Sequence, residues 1–159
     1  MYIIKFKKFD DNRHTIHLKY NTAIYYPEKI NHKGYIHFND SNFIDARGGL
    51  DLGVNVILAP RVCILTYNHD HTNSDWLPYS PEIIRKKVVV GDNTWIGFDS
   101  LILPGSHVGK NCVIGAKSVL KGLYPDNSLI VGNPAKVVKT LNKTDNAKAY
   151  LLEKYDGVL

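Results

Sequence analysis

Aliphatic residues recur at every sixth position from Val90 to Leu120, and this period constrains the fold more than any other feature of the chain. A small residue follows four positions after each of the first five: Thr94, Ser100, Ser106, Cys112 and Ser118. Neither an α-helix nor an ordinary strand has a six-residue period. A fixed period of this kind is typical of stacked repeats, in which each unit buries its apolar face against its neighbours. We therefore predict an all-β fold, a parallel β-helix built from hexapeptide repeats.

The same spacing extends upstream in a weaker form. Leu52, Leu58 and Ile64 keep the six-residue step, whereas three earlier isoleucines depart from its register: Ile30, Ile36 and Ile44. Ile64 and Val90 are 26 positions apart, which is not a multiple of six. The β-helix must therefore be interrupted between these two residues.

The interruption is an aperiodic segment, residues 66–87, which we expect to protrude from the β-helix as a loop. It contains two histidines, His69 and His71, and three aromatic residues. Long loops in compact repeat folds are usually functional or disordered, and polar and aromatic content of this kind favours function. The loop is therefore the first place to look for a site.

The composition limits the class of protein. With 159 residues and a hydrophobic content of 44%, the chain has enough apolar material for one core. The formal net charge of +5 comes from scattered basic residues, which either form a solvated surface or attract a polyanion or a phosphorylated small molecule. Because no nucleic-acid-binding motif accompanies them, we expect no nucleic-acid partner.

The termini and the cysteines indicate the compartment. Residues 1–8 lack the apolar stretch of a secretory signal, and no run of the sequence approaches a membrane span. We therefore expect a cytoplasmic protein. Cys63 directly precedes an inward position of the period and Cys112 falls at a corner position, so both are expected to be reduced and structural.

The period also predicts the domain organisation. Residues 1–28 alternate apolar and polar side chains in places and are expected to form a strand-like cap. The β-helix is assigned to residues 29–140, with the loop 66–87 extruded from it. Residues 141–159 form a tail in which Thr144, Asp145 and Asn146 offer the N-cap of a short helix that covers the open end.

Five segments together resemble the hexapeptide-repeat acyltransferases, and more closely the galactoside, maltose and bacterial surface-polysaccharide O-acetyltransferases. The resemblance covers about residues 30–140 and rests on LGVNVILAPRV at 52–62, HD at 69–70, VGDNTWIG at 90–97, ILPG at 102–105 and VGNPAK at 131–136. It implies a left-handed β-helix, a homotrimer, and an active site in the groove between neighbouring subunits.

The resemblance assigns the catalytic residues. His69 matches the family's general base, which takes the proton of a sugar hydroxyl as the oxygen attacks the thioester of acetyl-CoA; an imidazole can do this near neutral pH. His71 is a second candidate, either as a substrate contact or in place of His69. Asn39 matches an asparagine that contacts the acceptor and the tetrahedral intermediate. The structural alternatives are a loop histidine packed on Trp76 or Trp95 and a turn asparagine.

The resemblance also implies a path for the co-substrate, acetyl-CoA, and no metal. Phe98 stands where the family often has a small residue whose backbone N–H lies near the thioester carbonyl. The pantetheine arm should pass Ala116 and Lys121, and Lys136 and Lys139 should reach the phosphates. The family more often has arginine at the last two positions, and lysine keeps the charge but loses the bidentate fork. Each lysine is otherwise a solvated charge.

The acceptor is less well defined by the sequence. Trp95 matches a tryptophan in the wall of the family's site, although a packing role is equally open. Residues 1–28 do not resemble the helical segment that shapes the acceptor pocket of the galactoside and maltose enzymes. We therefore expect a different acceptor, a sugar of a capsule, O-antigen or exopolysaccharide precursor.

Three other functions stay open at this point. An N-acetyltransferase of an amino sugar would need the same base and the same donor. A zinc-dependent protein of the gamma carbonic anhydrase type would need three convergent histidines, for which His69, His71 and His107 are the candidates. A non-catalytic scaffold would use the β-helix only as a rigid prism, but it would have no need of the histidine-bearing loop.

Overall fold

The computed structural model describes residues 16–73, 75–144 and 148. In this part of the chain the backbone forms an all-β solenoid with three parallel sheets, which we call faces A, B and C. Face A contains six parallel strands, one from each turn of the solenoid. Successive strands move from face A to face B to face C and back to face A, so a cross-section is a triangle. Its corners are called AB, BC and CA after the faces that they join.

The strands of each face are short. Face A consists of β1 Ile16–Leu18, β4 Ile36–Phe38, β7 Val56–Leu58, β12 Trp95–Ile96, β15 Val113–Ile114 and β18 Ser128–Gly132, closed by the antiparallel β19 Ala135–Thr140. Face B consists of β2 Ala23–Tyr25, β5 Phe43–Asp45, β8 Cys63–Leu65, β13 Leu101–Ile102 and β16 Val119–Leu120. Face C consists of β3 Ile30–His32, β6 Leu50–Leu52, β11 Val88–Val90, β14 His107–Val108 and β17 Leu123–Tyr124.

The six-residue period encodes the core, as predicted. All of its aliphatic members are buried inside the solenoid: Val90, Ile96, Ile102, Val108, Ile114 and Leu120. The small residues four positions later are buried at the corners: Thr94, Ser100, Ser106, Cys112 and Ser118. Each of these corner side chains donates a hydrogen bond to a main-chain carbonyl, as Ser100 does to Gly115 O at 2.9 Å. Polar groups are thereby satisfied where the chain turns.

The register of the early isoleucines has a geometric cause. Ile36, Ile44 and Ile30 all lie in strands of the solenoid, and the first two are buried. Ile44 on face B and Leu52 on face C are eight positions apart, so corner BC contains two residues more than the six-residue step allows. These two extra residues shift Ile44 out of the period. Ile36 and Ile30 depart for another reason, because they pair with Val56 and Leu50, two positions before the members of the period Leu58 and Leu52.

The solenoid begins earlier than the domain boundaries expected from the sequence. β1 pairs in parallel with β4, and β2 pairs in parallel with β5, so residues 16–25 already form the first turn. A 3-10 turn at Pro27–Lys29 leads into β3. Residues 1–15 of the expected cap lie outside the described residues.

The loop predicted at residues 66–87 leaves the solenoid at corner BC. It contains two further strands, β9 Tyr67–His69 and β10 Ile83–Arg85, which pair antiparallel. We call this segment the arm. Thr66, which is buried, fixes its root: its hydroxyl donates to Asp45 O at 2.8 Å and accepts from Gly48 N at 2.7 Å. The arm therefore contains ordered structure of its own, which the absence of a period did not indicate.

The last turn ends in the β18–β19 hairpin. The helix expected within residues 141–159 falls on residues that lie largely outside the described part of the chain, and 141–144 are not helical. Cys63 and Cys112 are free thiols, as expected. Burial raises the pKa of both thiols, which makes them poor nucleophiles at neutral pH. Among the described residues no helix is long and apolar enough to cross a bilayer.

Candidate active site

His69 ends strand β9 of the arm and lies between two tyrosines. The centroid of its ring is 4.2 Å from that of Tyr79, with the two planes inclined by 30°, and 6.1 Å from that of Tyr67, which it meets edge-on. The side chain is half-buried. Aromatic contacts of this kind restrict the orientation of the imidazole while one edge of the residue stays accessible.

One ring nitrogen of His69 makes no hydrogen bond within the described residues. Its backbone N–H donates to Asn68 Oδ1 at 2.9 Å, but its ring Nδ1 is buried and has no hydrogen-bond partner within the described residues. The ring is therefore oriented by packing rather than by a hydrogen bond at Nδ1. No hydrogen bond at Nδ1 therefore fixes the tautomer of this imidazole within the described residues.

The residues after His69 form a tight polar turn. Asp70 Oδ1 accepts hydrogen bonds from Thr72 Oγ1 at 2.6 Å and from Thr72 N at 2.9 Å, and these bonds lower the pKa of the Asp70 carboxyl. His71 is exposed, and its Nδ1 lies 3.4 Å from His69 O. His71 therefore lies at the surface of the arm, and among the described residues no aromatic ring packs on it as Tyr79 packs on His69.

Asn39 lies at corner AB, in the second turn of the solenoid, and its amide is largely engaged. Nδ2 donates to Leu58 O at 2.8 Å, and Oδ1 lies 3.3 Å from His37 Nε2. Its backbone oxygen accepts bonds from Thr22 Oγ1 and Asn42 Nδ2 at 2.9 and 2.6 Å. The amide Nδ2 carries two hydrogens, so within the described part of the chain one donor remains beyond the bond to Leu58.

Phe98 and Ala116 lie at corner AB, in successive turns of the solenoid. Both are exposed, and Phe98 O accepts a hydrogen bond from Lys117 N at 2.8 Å. A Cβ atom on Gly97 would lie 2.7 Å from Ala116 N, so the glycine permits the close approach of the two turns. The guanidinium of Arg61 lies 5.3 Å from the centroid of the Phe98 ring. Phe98 and Ala116 are therefore exposed on successive turns, and together they form a strip of surface along this corner.

The other predicted residues lie in three different places. Lys136 is opposite Val131 in the β18–β19 hairpin, which turns at the end of corner AB. Trp95 and Lys139 lie on the outer surface of face A, in one register row with Val113 and Leu129. Lys121 lies at corner BC, on the same side of the solenoid as the root of the arm.

A single chain therefore does not bring all the predicted residues together. Asn39, Phe98 and Ala116 lie along corner AB with Lys136 at its end, whereas His69 and His71 lie on the arm at corner BC. Within one chain, these two groups of residues therefore lie at different corners.

The structure also reveals residues that the sequence analysis missed. Arg47, in the turn at corner BC, lies 3.8 Å from the centroid of the Tyr67 ring and forms an ion pair of 3.0 Å with the buried Asp45. No motif or period marks these residues. The only signal was the pair of extra residues at corner BC, which places residues 45–49 beside the arm.

A zinc site is not formed within the described part of the chain, where no three His, Cys, Asp or Glu residues cluster closely enough to hold a metal ion. His107 lies on face C in strand β14, exposed, and away from the arm that carries His69 and His71. The three histidines considered for a zinc-dependent activity therefore do not converge within one chain.

Known proteins share the repeat and the fold of this chain. Residues 87–122 match the family model described as bacterial transferase hexapeptide (six repeats). WbbJ of Escherichia coli (strain K12), whose name describes an O-acetyl transferase of lipopolysaccharide biosynthesis, is 30% identical over 127 residues, which cover 76% of this chain and 62% of WbbJ. The chain spans 41% to 66% of the length of the curated relatives that it matches.

Solved structures show the same fold. A maltose O-acetyltransferase from Clostridium difficile 630 superimposes with a TM-score of 0.66 at 31% identity, over 82% of this chain and 70% of that one. A galactoside acetyltransferase solved in complex with coenzyme A gives a TM-score of 0.65 at 28% identity, over 84% and 68% of the two chains. The chain belongs to the hexapeptide-repeat acetyltransferase family.

Proposed function

We propose that this protein is an acetyl-CoA-dependent O-acetyltransferase that acts on a sugar hydroxyl, with His69 as the general base. The observation that supports this most directly is the arm itself. A solenoid of six turns extends an ordered arm, and that arm holds a half-buried imidazole 4.2 Å from the ring of Tyr79. The family to which the chain belongs supplies the donor, acetyl-CoA.

In this proposal the acetyl group moves directly from coenzyme A to the sugar. His69 takes the proton of the attacking hydroxyl as its oxygen bonds to the carbonyl carbon of the thioester, and the C–S bond then breaks to release coenzyme A. The free N–H of the Asn39 amide is a donor for the oxygen on which negative charge develops. Proton transfer by a positioned imidazole makes a covalent acetyl-enzyme unnecessary.

The strip of surface along corner AB, as one wall of a groove between neighbouring copies, is the proposed site for coenzyme A. Phe98 and Ala116 lie along it, and Lys136 lies at its end, where a cation would face the phosphates. The galactoside acetyltransferase of similar fold was solved with coenzyme A bound. Because groove and arm lie at different corners, the proposal requires neighbouring copies in a trimer, with the arm of one beside the groove of the next.

We propose a surface-polysaccharide precursor as the acceptor class, in the cytoplasm. The support is the similarity to WbbJ, which is named for lipopolysaccharide biosynthesis. His71, exposed on the arm two positions from the base, and Trp95, 51% exposed on face A, are the residues proposed to contact a saccharide. Indole rings pack well against the apolar faces of sugars.

The test is the release of free thiol from acetyl-CoA against a panel of sugars and nucleotide sugars. We expect turnover with one acceptor class and a fall of about a hundredfold in His69→Ala, the usual contribution of a general base. The matched control is His107→Ala, which removes an exposed imidazole from face C and should leave turnover unchanged. His71→Ala shows whether His71 is a base or an acceptor contact. Loss of an acceptor contact raises KM for the sugar with little effect on kcat, whereas loss of a base lowers kcat.

Two results would contradict the proposal. Absence of both turnover and coenzyme A binding would exclude a transferase. Turnover that is unchanged in His69→Ala but lost in His71→Ala would assign the role of general base to His71 instead of His69. Identification of the acetylated product by mass spectrometry then separates transfer to oxygen from transfer to nitrogen.

A further inference from the structure

Arg47 connects the core of the solenoid to the arm, and no part of the proposed mechanism uses it. It lies in the turn 46–49 of corner BC, whose Gly48 N donates to Thr66 Oγ1 at the root of the arm. A Cβ atom on Gly48 would lie only 2.0 Å from Thr66 O. Because only glycine permits this approach, the turn carrying Arg47 and the root of the arm are held against each other.

The guanidinium of Arg47 is fixed in position by Asp45. Nε donates to Asp45 Oδ1 at 3.1 Å and an Nη donates to Oδ2 at 3.0 Å, so the pair is bidentate. The backbone N–H of Arg47 also donates to Oδ1 at 3.1 Å. The side chain of Asp45 is 4% exposed and that of Arg47 is 21% exposed. A bidentate pair at this burial has one orientation, and its planar guanidinium presents flat faces to its neighbours.

Aromatic rings occupy the neighbourhood of the guanidinium. Arg47 Cζ lies 3.8 Å from the centroid of the Tyr67 ring and 5.1 Å from that of Tyr26. A guanidinium at this distance from the face of a ring is attracted to its π electrons, more strongly where water is excluded. The Tyr67 ring, at the first position of strand β9, is therefore held against the solenoid.

Tyr67 is in turn a neighbour of His69. The two residues are two positions apart in a strand, so their side chains lie on the same side of it. Their ring centroids are 6.1 Å apart and the planes are inclined by 73°. Tyr79 packs on His69 at 4.2 Å. Contacts therefore run without a gap from the buried Asp45 through Arg47 and Tyr67 to the imidazole.

We propose that Arg47 and Tyr67 are positioning residues that hold His69 in the orientation needed for proton transfer. The proposal rests on the proposed function, in which His69 is the base. Neither residue touches the reacting atoms in this account: Asp45 anchors Arg47, Arg47 fixes the Tyr67 ring, and that ring limits the positions of the imidazole. Small displacements of a base from its reactive geometry are enough to lower a rate substantially.

The kinetic test uses Arg47→Met and Tyr67→Leu, with Arg47→Lys and Tyr67→Phe as conservative partners. We expect Arg47→Met and Tyr67→Leu to lower kcat by about tenfold or more, as a misplaced base does, while KM for acetyl-CoA is unchanged. Tyr67→Phe keeps the ring and should keep most of the activity. Arg47→Lys keeps the charge but loses the bidentate fork, so its kcat should lie between those of Arg47→Met and the wild type. Lys110→Met, on corner CA, is the control for loss of one positive charge.

A double-mutant cycle separates positioning from general damage. If Arg47 acts through His69, then adding Arg47→Met to His69→Ala should not lower the residual turnover further. The proposal is overturned if Arg47→Met has wild-type kcat, or if it lowers the residual turnover of His69→Ala by the same factor as that of the wild type. Different results would contradict the proposed function itself: release of no thiol by the wild type, or equal activity of His69→Ala and the wild type.

A spectroscopic measurement tests the same contacts without turnover. In protein labelled with ¹³C in its histidine rings, the signals that vanish in His69→Ala belong to that imidazole. We expect Arg47→Met to shift these signals, because the Tyr67 ring beside His69 moves, and Lys110→Met to leave them in place. Unchanged His69 signals in Arg47→Met would overturn the proposal even where a variant is too unstable for kinetics.

Discussion

At the scale of single residues, Asp45 is a buried carboxylate whose partner is Arg47. Its carboxylate is almost inaccessible and accepts three hydrogen bonds, all of them from Arg47. We expect Asp45→Ala to lower the free energy of unfolding by about 3 kcal/mol, because it leaves a largely buried guanidinium without a counter-charge. Chemical denaturation of the two proteins measures this difference.

An exposed ion pair provides the control for this prediction. Asp51 and Lys87 are 3.0 Å apart, but their side chains are 35% and 52% exposed. Asp51→Ala should therefore cost no more than about 1 kcal/mol, as is usual for pairs that water screens. Equal losses in Asp45→Ala and Asp51→Ala would mean that burial of the Asp45–Arg47 pair does not contribute as argued.

At the scale of elements, a ladder of asparagines runs along corner CA. Asn55 Nδ2 donates to Asn93 Oδ1 at 2.8 Å, Asn93 Nδ2 to Asn111 Oδ1 at 3.1 Å, and Asn111 Nδ2 to Asn127 Oδ1 at 2.9 Å. All four residues have left-handed backbone conformations, with φ between 55° and 59°, where asparagine is tolerated better than most residues. Each asparagine thus serves the turn and the stacking of turns at once.

Substitutions at Asn93 separate these two contributions. Asn93→Gly keeps the left-handed turn and loses two amide hydrogen bonds, so we expect it to cost about 1 to 2 kcal/mol of unfolding free energy. Asn93→Ala also introduces the backbone penalty and should cost about 1 kcal/mol more. Thermal and chemical denaturation measure whether stability falls in the order wild type, Asn93→Gly, Asn93→Ala. A glycine variant less stable than the alanine variant would contradict it.

Corner AB has a charged counterpart of this ladder. Asp99 accepts hydrogen bonds from Lys117 Nζ at 2.8 Å and from Arg61 at 3.1 Å. These contacts lower the pKa of Asp99 below its ordinary value of 3.8, and the bond from Lys117 has the largest effect. A carboxyl whose pKa is lower in the folded state stabilises that state above its unfolded pKa. This stabilisation is lost as the pH falls through the folded value.

The lowered pKa of Asp99 predicts how the stability of Asp99→Asn depends on pH. Asparagine keeps the left-handed turn, so the variant removes only the charge. We expect its melting temperature to be lower than that of the wild type at pH 7, and the gap to narrow as the pH falls below 3.8. Calorimetry at a series of pH values provides the measurement. A gap that is the same at pH 7 and well below pH 3.8 would rule out a contribution of the ionised carboxylate.

At the scale of the whole molecule, the proposed trimer, in which the arm of one copy lies beside the corner AB groove of the next, predicts complementation between inactive variants. His69→Ala removes the base and Ala116→Trp obstructs the groove. In trimers mixed at random from equal amounts, each shared site needs an intact arm from one subunit and an intact groove from the next. About a quarter of the sites should then be active, one half multiplied by one half.

The measurement is turnover after joint refolding of the two variants, with sedimentation to establish the trimer. Each variant refolded alone serves as the control. Refolded mixed trimers with no activity above these controls would show that the arm and groove of neighbouring copies do not form a joint site, and a stable monomer would show that no such site exists.

The sequence predicted the solenoid and the position of the arm, but not how the arm is held. The aliphatic residues from Val90 to Leu120 reveal the core because successive turns of equal length repeat the same burial at the same spacing. Contacts such as Arg47 with Tyr67 have no fixed spacing, since the two residues belong to different turns. They could be found only in the folded chain.

By itself, the sequence determined the parallel stack, the small polar corners and the interruption between Ile64 and Val90, because each of these depends on residues close together in the chain. The tertiary structure decided which corner extends the arm and which holds Phe98 and Ala116, because corners acquire neighbours only when the turns stack. It also decided that the imidazole of His69 is oriented by Tyr79 and Tyr67. Orientation of a side chain depends on packing across the fold, and no local pattern encodes it.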